Sequence, residues 1–380
     1  MQEQMPSPQL VADATALDHC VAELKNCQSL AVDTEFMRTD TFYPILGLIQ
    51  IYDGRHCWLI DPLGVEDLRP LAGIFLNPSI IKVFHSCSED LEVLHQALGC
   101  IPEPLFDTQI AAALCGYGFS RGYAALVADM LDVHVPKDET RSDWLQRPLS
   151  DAQLGYAASD VYHLLPVYQQ LLQDLAALTR TDWMAEEMQD LTDRAKQRDD
   201  GSEYYRKVKG AWRLPPEGLL ILQHLCEWRE REARVRNRPR NRVLPDRTLV
   251  EIANQRPGGK GVLAAIEGMH PGVIRRYGDV LLGLVQKPYE APPGGFPPPL
   301  DSPLPKSSRD LGKALKAVVA ARADELQLPV EMLARKRDIE ELVRSVCEGG
   351  DPVLSSSLAS GWRYDVVGLP LLAAVAEKLS

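Results

Sequence analysis

Asp33 and Glu35, in the stretch SLAVDTEFMRTD (29–40), stand two residues apart at the end of an apolar run. In an extended strand alternate residues share a face, so Leu30, Val32 and Thr34 fall on one side and Ala31, Asp33 and Glu35 on the other. Two carboxylates pointing the same way raise each other's pKa unless a cation sits between them. The pattern describes either a strand end fraying into solvent or a metal site. Asp90, in HSCSEDLEVL, falls in the first turn of an expected helix, and Tyr156 and Asp160, in YAASD, stand one helical turn apart on another. Four carboxylates from three elements suit two-metal phosphodiester hydrolysis. Hard oxygen ligands would hold two Mg²⁺ or Mn²⁺ about 3.5–4 Å apart, one activating water and the other stabilising the leaving oxygen. A tyrosine one turn before the last aspartate can hold the attacking water in line. At that spacing it can equally be an ordinary core residue.

These residues need particular elements to bring them together. SLAVDTEF, LGLIQIYDG and HCWLIDP are short, bounded by turn residues and rich in branched or aromatic side chains, which predicts three consecutive antiparallel strands. IIKVFHSCSEDLEVLHQALG reads as strand, turn and helix, with Ser86 or Ser88 as N-cap. PLSDAQLGYAASDVYHLLPVYQQLL opens on Ser150 and Gln153, a capping-box spacing, and continues as the amphipathic helix that carries Tyr156 and Asp160. Asp107, in DTQ, is expected to cap a helix rather than add a fifth ligand. His85 and His95 are assigned structural roles, and Arg141 and Trp144 are left outside the catalytic set.

The chain has 380 residues, 45% of them hydrophobic and 25% charged, which allows two or three ordinary globular domains. Its start lacks the basic and apolar regions of a signal peptide, and no apolar run approaches a membrane span, so a soluble, cytoplasmic protein with no membrane partner is expected. The eight cysteines show no zinc spacing and read as reduced thiols. The net charge of -12 hides an asymmetry. Residues 1–205 carry 13 basic against 32 acidic side chains, residues 206–290 carry 17 against 9, and residues 291–380 carry 11 against 12. An acidic first segment calls for cations and a basic middle segment for phosphate.

Composition and charge divide the chain into 1–205, 206–290, a Pro/Gly-rich linker at 291–305 (within KPYEAPPGGFPPPLDSPLP), and a last helical segment, 306–380. In the middle segment Leu222, Leu225 and Trp228 mark the inner side of a helix, and an arginine run follows. Glu230 and Glu232 neutralise its start. From Ala233 to Val243 it reads as uncompensated, so Arg234, Arg236, Arg238, Arg240 and Arg242 are assigned to nucleic-acid contact.

VDTEF, HSCSEDLEVL with FDTQIAAAL, and YAASD together resemble, in order, the three motifs of the DEDD 3′→5′ exonucleases, and within them the ribonuclease D family. The middle segment is similar to the HRDC module, and the last to a second, diluted HRDC. The resemblance implies an α/β RNase H-like exonuclease domain, a mixed sheet flanked by helices, followed by two small all-α HRDC-like bundles. It implies metal ligands at Asp33, Glu35, Asp90 and Asp160, with Asp33 bridging two divalent ions (Mg²⁺ or Mn²⁺), and Tyr156 positioning the water. The expected activity is 3′→5′ exoribonuclease action that releases nucleoside 5′-monophosphates. The expected partner is RNA with an accessible 3′ end, such as tRNA precursors, with no obligate protein partner evident. A DNA exonuclease is the alternative, since nothing in the motifs reads a 2′-hydroxyl; a non-enzymatic nucleic-acid scaffold is the third reading.

Overall fold

A computed structural model describes residues 6–135, 142–197, 201–286 and 295–379. The chain forms two compact units: residues 1–37, 45–196 and 304–380 make one, and residues 38–44 and 197–303 the other. These units cut across the sequence segments, since the last segment shares a unit with the first. Of the expected linker, residues 291–294 lie outside the described residues, and 295–305 contain neither helix nor strand.

In the first unit, the described strands β1 (Gln9–Val11), β2 (Ser29–Met37), β3 (Ile45–Tyr52), β4 (Cys57–Ile60), β5 (Ile81–Phe84) and β6 (Leu105–Asp107) form one mixed sheet in the order β1-β4-β3-β2-β5-β6. The β2–β3–β4 meander is antiparallel, as its alternating and branched residues predict, while β5 joins β2 and β6 joins β5 in parallel. β1 is an addition that the sequence reading did not contain; at three residues it is too short to show a period, and it pairs in parallel with β4. Leu30, Ala31 and Val32 of β2 and Leu48, Ile49 and Ile51 of β3 are all buried, which needs helices on both faces of the sheet.

Those helices are α1 (Ala14–Leu24), α2 (Arg69–Phe75), α3 (Ser88–Leu98), α4 (Thr108–Leu114), α5 (Tyr123–Leu131), α6 (Asp151–Tyr162), α7 (Leu164–Ala177) and α8 (Thr181–Lys196). The Ser150–Gln153 capping box is present at α6. The β2–β3 register slips between Glu35 and Phe36, and Gly47 is the extra residue. A Cβ there would stand 2.8 Å from the Trp144 carbonyl oxygen, so only glycine lets the segment before α6 lie against the bulge. Arg147 fastens that segment: its Nε and Nη2 each donate to Asp61 at 2.6 Å, and Nη2 also reaches the Gly47 carbonyl at 2.7 Å. The register beside Glu35 is thereby fixed from outside the sheet.

In the second unit, α9 (Pro216–Val235), α10 (Arg240–Val243), α11 (Asp246–Gln255), α12 (Lys260–Ala264) and α13 (Pro271–Gln286) enclose a core that includes Leu222, Leu225, Trp228, Leu249, Ile252 and Leu281. Phe42, from the β2–β3 connection, belongs to this core. Asn237 Oδ1 accepts from the backbone N–H of both Phe42 and Tyr43 at 3.0 Å. The chain then returns to the first unit in α14 (Arg309–Leu326), α15 (Val330–Leu333), α16 (Lys336–Cys347), α17 (Gly361–Arg363) and α18 (Leu369–Leu379). Glu187 of α8 accepts from Trp362 Nε1 at 2.9 Å and from both terminal nitrogens of Arg363, and Trp183 stacks on Trp362 with centroids 4.5 Å apart. All eight cysteines are free.

Candidate active site

Asp33 and Glu35 project from β2 next to the register slip, and Asp160 comes from α6. One carboxylate oxygen from each lies within 4.8 Å of the other two, a spacing that a single cation can bridge. Asp90, the fourth expected ligand, sits in the first turn of α3, only 7% exposed, and accepts a short hydrogen bond from the Thr34 hydroxyl. It stands outside the tight trio but within its electrostatic reach. Burial, and after it the charges of Asp90, Asp160 and Glu35, hold the Asp33 carboxyl well above the ordinary carboxylate range. Burial and the neighbouring Asp160 and Asp90 push Glu35 up to about 8. Burial raises Asp160 to about 7 against an opposing hydrogen bond from Tyr156, and Asp90 to about 6 against the bond from Thr34. Acidic groups thus gather here with no cationic side chain against them among the described residues. A hard divalent cation supplies what is missing, so the donor set fits the metals the motifs imply.

Asp33, Tyr156 and Asp160 line one cavity of about 320 Å³, together with His85, Gly122 and Tyr123. Tyr156 precedes Asp160 by one turn of α6, and its hydroxyl bonds the Asp160 carboxylate. His85, assigned a structural role from the sequence, follows β5, the strand beside β2, and lines the cavity. Its Nδ1 lies 2.9 Å from the Thr108 hydroxyl, and burial lowers its pKa. The available signal was that a residue at the carboxyl end of the strand next to the acidic one opens on the same crevice. Tyr123 was missed altogether; its hydroxyl donates to the Ser159 carbonyl at 2.7 Å.

Asp107 caps α4 as expected, accepting from Gln109 at 2.8 Å and Ile110 at 3.2 Å. It also accepts from the backbone of Ser86 and Cys87. That corrects the N-cap of α3, which is Cys87 with no side-chain bond of its own, rather than Ser86 or Ser88. With four amides on it, Asp107 has little capacity left for a metal. Trp144 is 2% exposed and braces Tyr156, with ring centroids 6.1 Å apart. His95 is on α3, away from the cavity lining, and Arg141 lies outside the described residues.

The arginine run is compensated at Arg234, Arg236 and Arg240, where the sequence reading took it as uncompensated. Glu230, 1% exposed, takes both Arg234 and Arg240, whose guanidiniums each lie 4.9 Å from the Phe42 ring centroid, and Glu232 pairs with Arg236. The Glu230–Arg234 and Glu232–Arg236 pairs are one helical turn apart on α9 and its end. The Glu230–Arg240 pair spans the break between α9 and α10, and Phe42 is remote in sequence, so neither of those could be read locally. Arg236, Arg238 and Arg242 instead line a cavity of about 510 Å³ with Arg275 and Arg276 of α13. Glu232 and Asp40 are the carboxylates paired with that set among the described residues.

A mixed sheet with carboxylates on a central strand, facing a helix with tyrosine and aspartate one turn apart, suits a metal-dependent phosphodiester hydrolase. The 3′-5′ exonuclease family model matches residues 8–176, and the HRDC domain model matches residues 219–285. The chain belongs to the ribonuclease D family. It is 46% identical over 370 residues to ribonuclease D of Pseudomonas paraeruginosa, covering 97% of this chain and 98% of that one. The crystal structure of Escherichia coli RNase D, described as an exoribonuclease involved in structured RNA processing, superposes with a TM-score of 0.89 at 36% identity, over 98% of this chain and 99% of that one. The catalytic core of RRP6 from Trypanosoma brucei aligns with a TM-score of 0.57 at 25% identity, over 75% and 81%. Among the described residues no helix is long and apolar enough to cross a membrane.

Proposed function

We propose that this chain is a 3′→5′ exoribonuclease that trims RNA 3′ ends, tRNA precursors among them, to nucleoside 5′-monophosphates with two divalent cations, Mg²⁺ or Mn²⁺. The observation that carries the reading is the convergence of Asp33, Glu35 and Asp160, with Asp33 and Asp160 opening beside Tyr156 on one cavity. Asp33, Glu35, Asp90 and Asp160 would hold the ions, with Asp33 shared between them. Bound cations at such a site polarise the scissile phosphodiester and make water a competent nucleophile at neutral pH. Tyr156 orients that water through its hydroxyl while its ring stays braced on Trp144. Water adds to the last phosphorus and the bond to the preceding 3′ oxygen breaks. The terminal nucleotide leaves with a 5′-phosphate, and the shortened RNA keeps a 3′-hydroxyl.

RNA capture is assigned to the second unit, with Arg236, Arg238 and Arg242 joined by Arg275 and Arg276 around the basic cavity. Arg234 and Arg240 of the original five serve the Glu230–Phe42 cluster as well. The first HRDC bundle is taken as 206–290 and the second as 306–380. Both follow one helix order: a long helix, a one-turn helix after a proline (Pro239, Pro329), then a second helix. Eight free cysteines suit the reducing cytoplasm.

Matched RNA and DNA oligonucleotides, labelled at either end, test the reading. The expected result with Mg²⁺ is a ladder of single-nucleotide shortening from 5′-labelled RNA, immediate release of a labelled mononucleotide from 3′-labelled RNA, slower action on DNA, and no action in EDTA. DNA degraded as fast as RNA would favour the DNA exonuclease, and intact RNA the scaffold.

A further inference from the structure

Gln50 lies in the middle of β3, fully buried, and neither its amide nitrogen nor its oxygen has a hydrogen-bond partner among the described residues. A buried amide without partners destabilises a fold. The contrast with Lys82 is direct: equally buried, it donates to the carbonyls of Asn77, Ile80 and Glu103. Gln50 therefore holds unused hydrogen-bonding capacity, and its position says where that capacity points.

In the β2–β3 register Gln50 is directly opposite Asp33. Opposed residues of an antiparallel pair project from the same face, with Cβ atoms about 4.5–5.5 Å apart. Tyr52, two residues on and on that same face, meets Tyr162 of α6 with ring centroids 5.2 Å apart. The face thus packs on the helix that carries Tyr156 and Asp160. Of the three aspartates, Asp90 is served by the Thr34 hydroxyl and Asp160 by Tyr156. Asp33 has only the Thr34 backbone amide among the described residues. Carboxylates that ligate metals are themselves held by outer hydrogen bonds, which set which oxygen faces the ion. Among the described residues Asp33 lacks a side-chain donor, and an idle donor stands across the strand from it.

We propose that Gln50 is the positioning residue for Asp33: in the cation-loaded site its Nε2–H donates to the Asp33 carboxylate and fixes the oxygens that face the ions. The nitrogen is the relevant end because an ionised carboxylate only accepts. The assignment depends on the metal-site reading above and adds a residue to it.

Gln50→Met keeps length and shape without a polar end. The full chain, stripped of metal, is followed by thermal unfolding and then titrated with Mn²⁺. The metal-free variant is expected to unfold at the parent's temperature or above it, because an unpartnered buried amide has gone. Its Mn²⁺ affinity is expected to fall about 10-fold, the scale of outer-shell losses. In an Asp33→Asn background the same substitution is expected to leave Mn²⁺ binding unaltered, since the carboxylate it serves is absent. Parent-like Mn²⁺ affinity in Gln50→Met overturns the proposal. So does a metal-free variant that unfolds well below the parent, which would mean that the amide is already bonded in the fold. If the parent itself binds no Mn²⁺, or Asp33→Asn binds it as the parent does, the metal-site reading falls and this proposal with it. If those two behave as expected and Gln50→Met matches the parent, only the role of Gln50 is lost.

Discussion

Asp33→Asn abolishes Mg²⁺-dependent RNA cleavage, lowering the single-turnover rate by about 10³-fold or more, without unfolding the chain. The substitution keeps the shape of the side chain and deletes one formal charge from the position on which Asp90, Asp160 and Glu35 all act. A catalytic cation stabilises the transition state by several kcal/mol, and each 1.36 kcal/mol is tenfold in rate. Stability should hold or rise, because the parent buries Asp33 beside Asp90, Asp160 and Glu35 and pushes its pKa up, a sign that ionising it in the metal-free fold is costly. Rapid-quench cleavage at saturating Mg²⁺, read beside a thermal melt, checks both halves. A parental rate would remove Asp33 from the site.

Tyr156→Phe separates the water-positioning group from the ligands. The ring and its packing on Trp144 remain and only the hydroxyl goes, so turnover should fall about 10²-fold, the scale of a lost positioning or general acid–base contact. Metal stoichiometry and melting temperature should stay near the parent's, with metal affinity parental at alkaline pH. A second readout follows from the hydrogen bond that Tyr156 gives Asp160, which opposes the upward push of burial. With that bond gone the Asp160 pKa rises further, so the acidic limb of the pH–rate profile in limiting metal moves to higher pH. An unchanged rate and profile would make Tyr156 a core residue, and a collapse in stability would point the same way.

How far the sequence discloses this site follows from how local each cause is. The shared face of Asp33 and Glu35 is written in strand alternation, and the shared face of Tyr156 and Asp160 in helical spacing behind a capping box; both depend on neighbours a few residues away. Their convergence is not local, and in the sequence it was carried by the order of the three motifs. The start of α3 shows the limit in the other direction. Two serines looked like the cap, but the acceptor is Asp107, from the next strand of the sheet. Part of the pairing within the arginine run is hidden for the same reason. Its spacing is local, whereas the carboxylate that absorbs two of its members is a buried helix residue and their ring partner, Phe42, comes from the β2–β3 connection. β1 pairs with β4 but has too few residues to announce itself.

The central claim is that these carboxylates of this chain hold the ions that cleavage needs, and the state of the metal-free site offers its most direct test. Glu35 is raised to about 8, Asp160 to about 7 and Asp90 to about 6, each above its ordinary value. Groups raised in the folded state favour folding below their ordinary pKa, and that contribution is lost as pH climbs through the raised values. The metal-free chain should therefore lose stability between about pH 4 and 8, and cations that bind only the ionised carboxylates should restore it. They should also expel protons as they bind. The deciding measurement is a calorimetric Mn²⁺ titration at pH 7 in two buffers of different ionisation enthalpy, on the parent and on Asp33→Asn. The expected result is two ions per parent chain with net proton release, tighter binding at pH 8 than at pH 6, and at least one ion lost in Asp33→Asn. Binding without proton release, or parental stoichiometry in the variant, would contradict the account.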